Sequence, residues 1–312
     1  MVPEIAIIMT AYNGADYLPQ QLSSILEQTY RDWRLFIRDD NSSDNTLNII
    51  EEYANRHTEK IKMIEGERRN VGIPQSFLLL LNNVQSDYIM FCDQDDVWLP
   101  DKIQNTFNKM REIEDRYGEN TPALIHTDLA VVAEDLRVLS DSFWDYQHLN
   151  PEKGKTLNRL LVQNVITGCT VMINKALKSK IHFFPEQAIM HDWWTALVAA
   201  AFGKIDYVPM PTILYRQHDE SFVGAKEWGA GYAFKMAKSG RSHLKATLQK
   251  TQLQAGAFLD TFRGELRSEY CKLLQAYSDL SHQSFFIKRF NLIKYGFFKI
   301  GLLKNLGLFA AV

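Results

Sequence analysis

The chain has 312 residues, 46% of them apolar, so it can bury a large core and reads as one enlarged domain or a domain with an appendage. Its three cysteines, Cys92, Cys169 and Cys271, form neither a disulfide framework nor a ligand-spaced pair, which favours a reducing, cytoplasmic setting. The start at Met1 has no basic leader, and no run reaches the roughly 18 uncharged residues of a spanning helix, so neither a signal peptide nor a membrane span is expected.

Glu4–Thr10 is a near-continuous apolar run, the pattern of a central parallel strand covered on both faces. A turn, Ala11-Tyr12-Asn13-Gly14, follows, and Leu18, Leu22, Ile25 and Leu26 recur at helical spacing. Trp33–Arg38 predicts a second strand ending in Asp39-Asp40-Asn41-Ser42-Ser43-Asp44; Leu47, Ile50, Tyr53 and Ala54 mark a second helix. Lys62–Glu65 predicts a third strand, Gly72–Pro74 opens a helix carrying Phe77–Leu81, and Tyr88–Cys92 is a fourth strand. This alternation predicts a parallel α/β sheet with right-handed crossovers, whose ligands sit outside the carboxyl ends of the strands. The polar clusters after Thr10, after Arg38 and at Asp93 therefore face one crevice.

Further on, Pro100-Asp101-Lys102 starts a helix with Ile103, Phe107, Met110, Ile113 and Tyr117 on one face. Ala123–Thr127 and Leu129–Ala133 read as a strand pair, and Val165–Asn174 as an alternating strand with a glycine. His191-Asp192-Trp193-Trp194 begins a helix ended by Gly203. Asp206–Pro209 and Thr212–Tyr215 are short strands leading into Arg216-Gln217-His218-Asp219. The character changes after Gly224, so residues 1–224 are read as the α/β domain and 225–312 as a helical, basic region. From Lys226 onward the net charge is +9, against −11 for residues 1–225, and such an asymmetry points to two different partners. Residues 284–312 hold five basic residues, no acid and six phenylalanines. That is the composition of a helix lying on a membrane surface; a helix packed on the core or a dimer contact is the plainer alternative.

Asp93, Asp95 and Asp96 fall within four positions at the end of a buried strand, where carboxylates need cations or donors to answer them. A hard divalent ion, Mg²⁺ or Mn²⁺, takes one or two carboxylates plus substrate phosphate oxygens; a solvated acidic turn is the alternative. Asp96 is given no role beyond capping the next helix. Asp40 is placed either to accept from a nucleobase imide or to form an Asx turn. Asp192, between a histidine and two tryptophans, suits a general base whose pKa apolar walls raise, or a helix-start carboxylate. His218 is a nitrogen ligand or an exposed loop residue. Trp144, Trp193 and Trp194 either stack on a ligand or fill the core. There is no GxGxxG, GxxxxGK[ST] or GxSxG, so nicotinamide, P-loop and serine-hydrolase chemistries lose support. No recognised nucleic-acid module accompanies the basic tail.

Thr10-Ala11-Tyr12-Asn13, Gln28-Thr29-Tyr30, Asp39-Asp40-Asn41-Ser42-Ser43-Asp44, Asn70-Val71-Gly72 and Asp93-Gln94-Asp95-Asp96 appear in this order. Together they resemble the family 2 glycosyltransferases with a GT-A fold, and the likeness continues through Gly168-Cys169, His191-Asp192-Trp193-Trp194 and Tyr215-Arg216-Gln217-His218. The wording of the acidic and tryptophan motifs resembles bacterial rhamnosyltransferases of cell-wall, capsule and O-antigen assembly. The resemblance implies that Thr10, Tyr12, Asp40 and Asn70 surround the nucleotide base and ribose. It implies that Asp93 meets ribose or metal, that Asp95 ligates the metal, and that His218 completes the metal or diphosphate site. Asp192 would be the catalytic base, with His191, Trp193 and Trp194 toward the acceptor. Asn41 departs from the family pattern, in which glycine is commoner. The implied donor is dTDP-L-rhamnose or a UDP-sugar, and the implied acceptor a lipid-linked glycan at the inner membrane face, with a peripheral enzyme for which a homodimer is a further expectation. The rivals are a nucleotidyltransferase, for which residues 9–16 lack the triphosphate loop, and a silent assembly subunit, against which all the acids stand.

Overall fold

The computed structural model describes residues 3–66, 69–218 and 240–312. Four parallel strands form one half of the sheet: β1 (Ile5–Ala11), β2 (Trp33–Asp39), β3 (Ile61–Met63) and β4 (Tyr88–Cys92). They are joined by α1 (Leu18–Leu26), α2 (Thr46–Arg56) and α3 (Ile73–Asn83). Alternate side chains of β1 enter different cores. Ile5, Ile7 and Met9 pack with Leu18, Leu22, Trp33 and Phe107, while Ala6 and Ile8 pack with Phe77, Phe91 and Trp194. Coverage on both faces is why the strand reads as an unbroken apolar run rather than an alternating one.

The second half follows as β5 (Val97–Trp98), α4 (Lys102–Tyr117), β6 (Ala123–Val132), β7 (Val138–Ser140), α5 (Phe143–Tyr146) and α6 (Leu157–Leu160). Then come β8 (Met172–Asn174), α7 (Lys175–Lys178), α8 (His191–Phe202) and β9 (Lys204–Arg216). Among the described residues the sheet order is β3-β2-β1-β4-β8-β6-β9-β5, with β7 beside β6. β8 and β5 run antiparallel to their neighbours, whereas β6 and β9 are parallel to each other.

Three sequence expectations change here. The predicted pair at 123–133 is one ten-residue strand, whose register against β9 slips on either side of Asp128. The Asp128 carboxylate accepts from the N–H groups of Leu129, Phe143 and Trp144 and from the Ser142 hydroxyl, so a polar residue can sit inside the strand. The two strands expected at 206–215 are likewise one, because Pro211 lies opposite Asp128 at the irregularity, where no ladder N–H is needed. The strand expected over 165–174 is shortened to β8 by a 3₁₀ turn at Gly168–Thr170. There the Gly168 N–H and the Asn164 side chain are directed at Asp192 instead of at a ladder partner.

The C-terminal helices are α9 (Gly240–Phe262), α10 (Ser268–Ser278), α11 (Phe285–Lys294) and α12 (Leu302–Ala311). The boundary read at 224/225 falls outside the described residues. Phe258, Phe262, Tyr277, Leu292, Phe297 and Leu308 join the core that holds Trp194 and Phe77, so these helices cover one face of the sheet. Among the described residues no helix is long and apolar enough to cross a membrane.

Candidate active site

The β1–α1 and β2–α2 loops are fastened together at the carboxyl edge. The Asn13 side-chain oxygen accepts from the Ser43 N–H at 2.8 Å, the Thr46 hydroxyl from the Gly14 N–H at 2.8 Å, and the Asp44 carboxylate from the Ala15 N–H at 3.0 Å. Asn13 and Asn41 adopt left-handed backbone conformations, at φ 48° and 67°. Asparagine tolerates that region better than other non-glycine residues, so Asn41 keeps the turn that glycine gives in the resembling family. The acidic loop is tied to the same edge. The Tyr12 N–H donates to Gln94 Oε1 at 2.8 Å, and Gln94 Nε2 returns a bond to the Tyr12 carbonyl at 2.9 Å. A Cβ on Gly14 would stand 2.2 Å from Gln94 Oε1, so that position must be glycine for this approach.

Asp40 is buried and bonded from three sides. Arg38 pairs with it at 2.5 Å, and its two oxygens accept from the N–H groups of Val71 and Gly72 at 3.0 and 2.9 Å. Arg38 also donates to the Ser76 hydroxyl, to which Thr10 donates. Asp40 and Thr10 therefore act in this structure as the frame of the Asn70–Gly72 loop. Tyr12 stands about half exposed, at 48%, and the Asn70 side chain accepts from the Gly72 N–H. Sequence reasoning named Asp40 but gave no part to Arg38 or Ser76; a basic residue two positions before a buried aspartate was the available signal.

The acidic loop splits into an open and a buried part. Asp95 is partly exposed, and its Oδ2 lies 2.9 Å from His218 Nε2. His218 stacks on Tyr17 at 4.5 Å between ring centres. Asp93 is pushed up to about 7, first by burial and then by the charges of Asp95 and Asp192. Asp96, expected to cap a helix, instead lies fully buried. One of its oxygens accepts from the Arg216 N–H at 3.2 Å while the other has no partner, and burial pushes it well up. The cap residue of α4 is Asp101. Asp93, Asp96 and Cys169 bring one ligand atom each to within 4.8 Å of one another. Below them Lys102 is buried, its ammonium 4.8 Å from the Trp98 ring centre and lowered to about 8 by burial. Arg216 braces the whole edge: it donates to the Asp95 carbonyl, the Glu134 carbonyl and Gln20 Oε1, and it covers the Tyr17 ring. Its position between Tyr215 and His218 carries no sequence signal of this role.

This donor set fits a hard divalent cation. Two cis ligands of an octahedral ion, each at about 2.1 Å, stand about 3 Å apart, close to the spacing of Asp95 Oδ2 and His218 Nε2. Asp93 feels the charge of Asp95, while its own ligand atom groups with Asp96 and Cys169. Oxygen donors with one imidazole suit Mg²⁺ or Mn²⁺.

Asp192 opens α8 and is 8% exposed. Burial raises it to about 7, against the N–H bonds of Trp193 (2.6 Å) and Gly168 and the Asn164 side chain, which hold it in place. Gly168 allows this contact, since a Cβ there would lie 3.1 Å from His191 Nε2 and 3.5 Å from the Asp192 Cβ. The expected acceptor-side aromatics divide. His191 stacks on Phe77 at 3.9 Å with both ring nitrogens unpartnered, and burial lowers its pKa to about 3 and keeps it neutral. Trp194 is fully buried against Phe258 and Phe262. Both side chains lie in the core rather than along the crevice. Trp193 is half-buried, with its indole N–H on the Leu160 carbonyl at 2.7 Å, and Trp144 is buried against His126 and Tyr207. Thus Asp93, Asp95, His218 and Asp192 come together, Thr10 and Asp40 support the loop beside them, and His191 and Trp194 back the wall.

Residues 6–177 match the profile described as Glycosyl transferase family 2. The chain is 30% identical over 233 residues to a dTDP-rhamnosyl transferase, RfbG, of Shigella flexneri, covering 70% of this chain and 74% of that one. It is 29% identical over 180 residues to a putative teichuronic acid biosynthesis glycosyltransferase, TuaG, of Bacillus subtilis, covering 57% and 65%. Among solved structures it superposes on S. aureus TarS 1-349 in complex with UDP-GlcNAc with a TM-score of 0.57 and 16% identity, over 99% of this chain and 79% of that one. It superposes on the mannosyltransferase PcManGT of Pyrobaculum calidifontis, in complex with GDP-Man and Mn2+, with a TM-score of 0.56 and 14% identity, over the same shares. These likenesses carry the fold. With its motifs at one sheet edge and its profile match over more than half its length, the chain belongs to glycosyl transferase family 2 and has the GT-A fold.

Proposed function

We propose that the protein is an inverting, metal-dependent hexosyltransferase that moves L-rhamnose from dTDP-L-rhamnose to a hydroxyl of a lipid-linked glycan in bacterial surface-polysaccharide synthesis. The observation that carries the reaction is Asp192. It is a buried carboxylate raised to about 7, felt electrostatically by Asp93 and held by three donors at the helix start. The acceptor hydroxyl gives its proton to Asp192 as its oxygen bonds to the sugar C1, and the C1–diphosphate bond breaks on the opposite face. The nucleoside diphosphate leaves with that electron pair, so no acid need protonate the leaving oxygen, unlike in a glycosidase. Asp93, Asp95 and His218 would hold a divalent cation, which when bound would supply positive charge against the diphosphate. Tyr12 and the Asn70–Gly72 loop, framed by Asp40, border the nucleotide. The likeness to RfbG supports rhamnose. A UDP-sugar is the second reading, supported by the UDP-GlcNAc complex of TarS and by a 26% identical UDP-Glc-dependent glucosyltransferase, WfgD, of Escherichia coli. A lipid-linked acceptor would put the reaction at the cytoplasmic face of the membrane, with the enzyme peripheral.

The test is a thermal-shift panel of dTDP-rhamnose, other dTDP-sugars, UDP-sugars and GDP-mannose, with Mn²⁺ or EDTA. A ligand that binds only the folded state raises Tm by mass action. A Mn²⁺-dependent rise with dTDP-rhamnose is expected. A rise with UDP-sugars alone would replace the donor, and no rise with any would remove the catalytic reading.

A further inference from the structure

We propose that α11 and α12 seat the protein on the surface of an anionic lipid bilayer. The sequence left this segment open between a membrane-lying helix and a core helix, and the structure gives it both faces. Leu292, Phe297, Leu308 and Ala311 are buried in the core. On the other side Phe286, Phe290 and Ile293 recur at i, i+4 and i+7, exposed by 81%, 62% and 63%. On α12, Leu302, Leu303 and Leu306 are exposed by 77%, 59% and 59%. Such a concentration of exposed large apolar side chains marks an interaction surface.

Charge selects the occupant. Residues 284–312 contain five cations and no acid, and among the described residues the exposed Lys294 enters no ion pair, whereas Lys288 is half-buried toward the groove that Asp260 and Asp279 line. Apolar side chains interspersed with unopposed cations match a bilayer that offers acyl chains beneath anionic headgroups. A second copy would bring the same cations against these, and like charges facing each other oppose that contact.

The segment is also rigidly placed with respect to the chemistry. Asn158 donates to the carbonyls of Tyr295 and Gly296, Arg159 to that of Phe298, and Gln163 Oε1 accepts from the Ile300 N–H. Arg289 bridges α11 to the Phe309 carbonyl of α12. These anchors sit on α6 and just after it, and the Leu160 carbonyl of α6 holds the indole of Trp193, the residue after Asp192. One short helix therefore links the proposed membrane face to the proposed base, which is the arrangement a lipid-borne acceptor needs. The inference deepens, and rests on, the reading that the acceptor is lipid-linked.

The experiment is flotation of the full chain with vesicles of phosphatidylcholine containing phosphatidylglycerol, against pure phosphatidylcholine, with neither glycan nor sugar nucleotide present. Its failure is thus separate from failure of the donor panel. The protein should float with anionic vesicles and be released by salt. The variant F286S/F290S/I293S should lower partitioning at least about tenfold. The variant K294Q should lower it by about fivefold. Both variants change outward-facing side chains and should keep the wild-type donor-induced Tm shift. No flotation of the wild type, or flotation undiminished in both variants, overturns the proposal. So does a wild-type dimer in light scattering that the triple variant splits, which would assign the face to a second copy.

Discussion

Asp192→Asn is the sharpest probe of the proposed chemistry. The change keeps the side chain's size and leaves one oxygen to accept from the Trp193 N–H, now 2.6 Å away. It places an amide NH₂ toward the donors of Gly168 or Asn164, so a small loss of Tm is expected, with donor binding intact. What disappears is the proton acceptor, and removing a general base slows transfer by about 10²–10⁴-fold, or about 3–5 kcal/mol of barrier. The wild-type pH profile carries the same signature. With the carboxyl raised to about 7, roughly half is ionised at pH 7 and about a tenth at pH 6. The rate should therefore fall about tenfold per pH unit on the acid side, whereas an ordinary aspartate near 3.8 would leave it flat. The assay is kcat/KM for transfer to a hydroxyl acceptor at saturating Mn²⁺ from pH 5 to 8, for wild type and variant. Near-normal turnover in Asp192→Asn, or an acid limb that persists unchanged in it, would refute the assignment of the base.

Asp95→Asn and His218→Gln should each weaken Mn²⁺ binding at least tenfold and abolish the Mn²⁺-dependent donor shift, as titration calorimetry would read; unchanged Mn²⁺ affinity would take either residue out of the metal site. Arg38→Met strands the buried Asp40 and should cost about 3–5 kcal/mol in urea unfolding. Adding Asp40→Asn should recover part of that, and a single variant as stable as wild type would contradict the buried pair. Gly14→Ala should lower donor affinity with little loss of Tm, because Gln94 can swing aside, whereas Gly203→Ala meets the Pro122 carbonyl at 1.8 Å and should unfold the protein; equal Tm losses would contradict this contrast. Asp93 and Asp192, each raised to about 7, bind protons in the folded state that the unfolded chain releases near 3.8. Stability from these groups is thus present at low pH and lost as pH rises through about 7. In EDTA the Tm should fall from pH 5 to 8, and Mn²⁺ should raise it most at pH 8; a Mn²⁺ effect larger at pH 5 would reverse the sign.

The parallel half of the sheet is legible in the sequence, because a strand buried on both faces is written as an apolar run such as Ile5–Met9 followed by a polar loop. Asp93, Asp95 and Asp192 stand out as candidates in the sequence, since acids at buried strand and helix ends need an answering charge. Tertiary structure alone decided what each one faces. Asp40 turned inward to Arg38 and the Val71–Gly72 amides, and Asp96 sank below the loop instead of capping α4. His191 and Trp194 joined the core while Asp192, between them in sequence, kept a place at the wall. Neighbours on a helix differ by about 100° in direction, so a motif such as His191-Asp192-Trp193-Trp194 names the residues without saying which of them meet the ligand. Long-range pairing did the rest. Whether 123–133 and 204–216 were two strands each or one depended on Asp128 finding its four donors, and those come from β6 itself and from the distant segment 142–144.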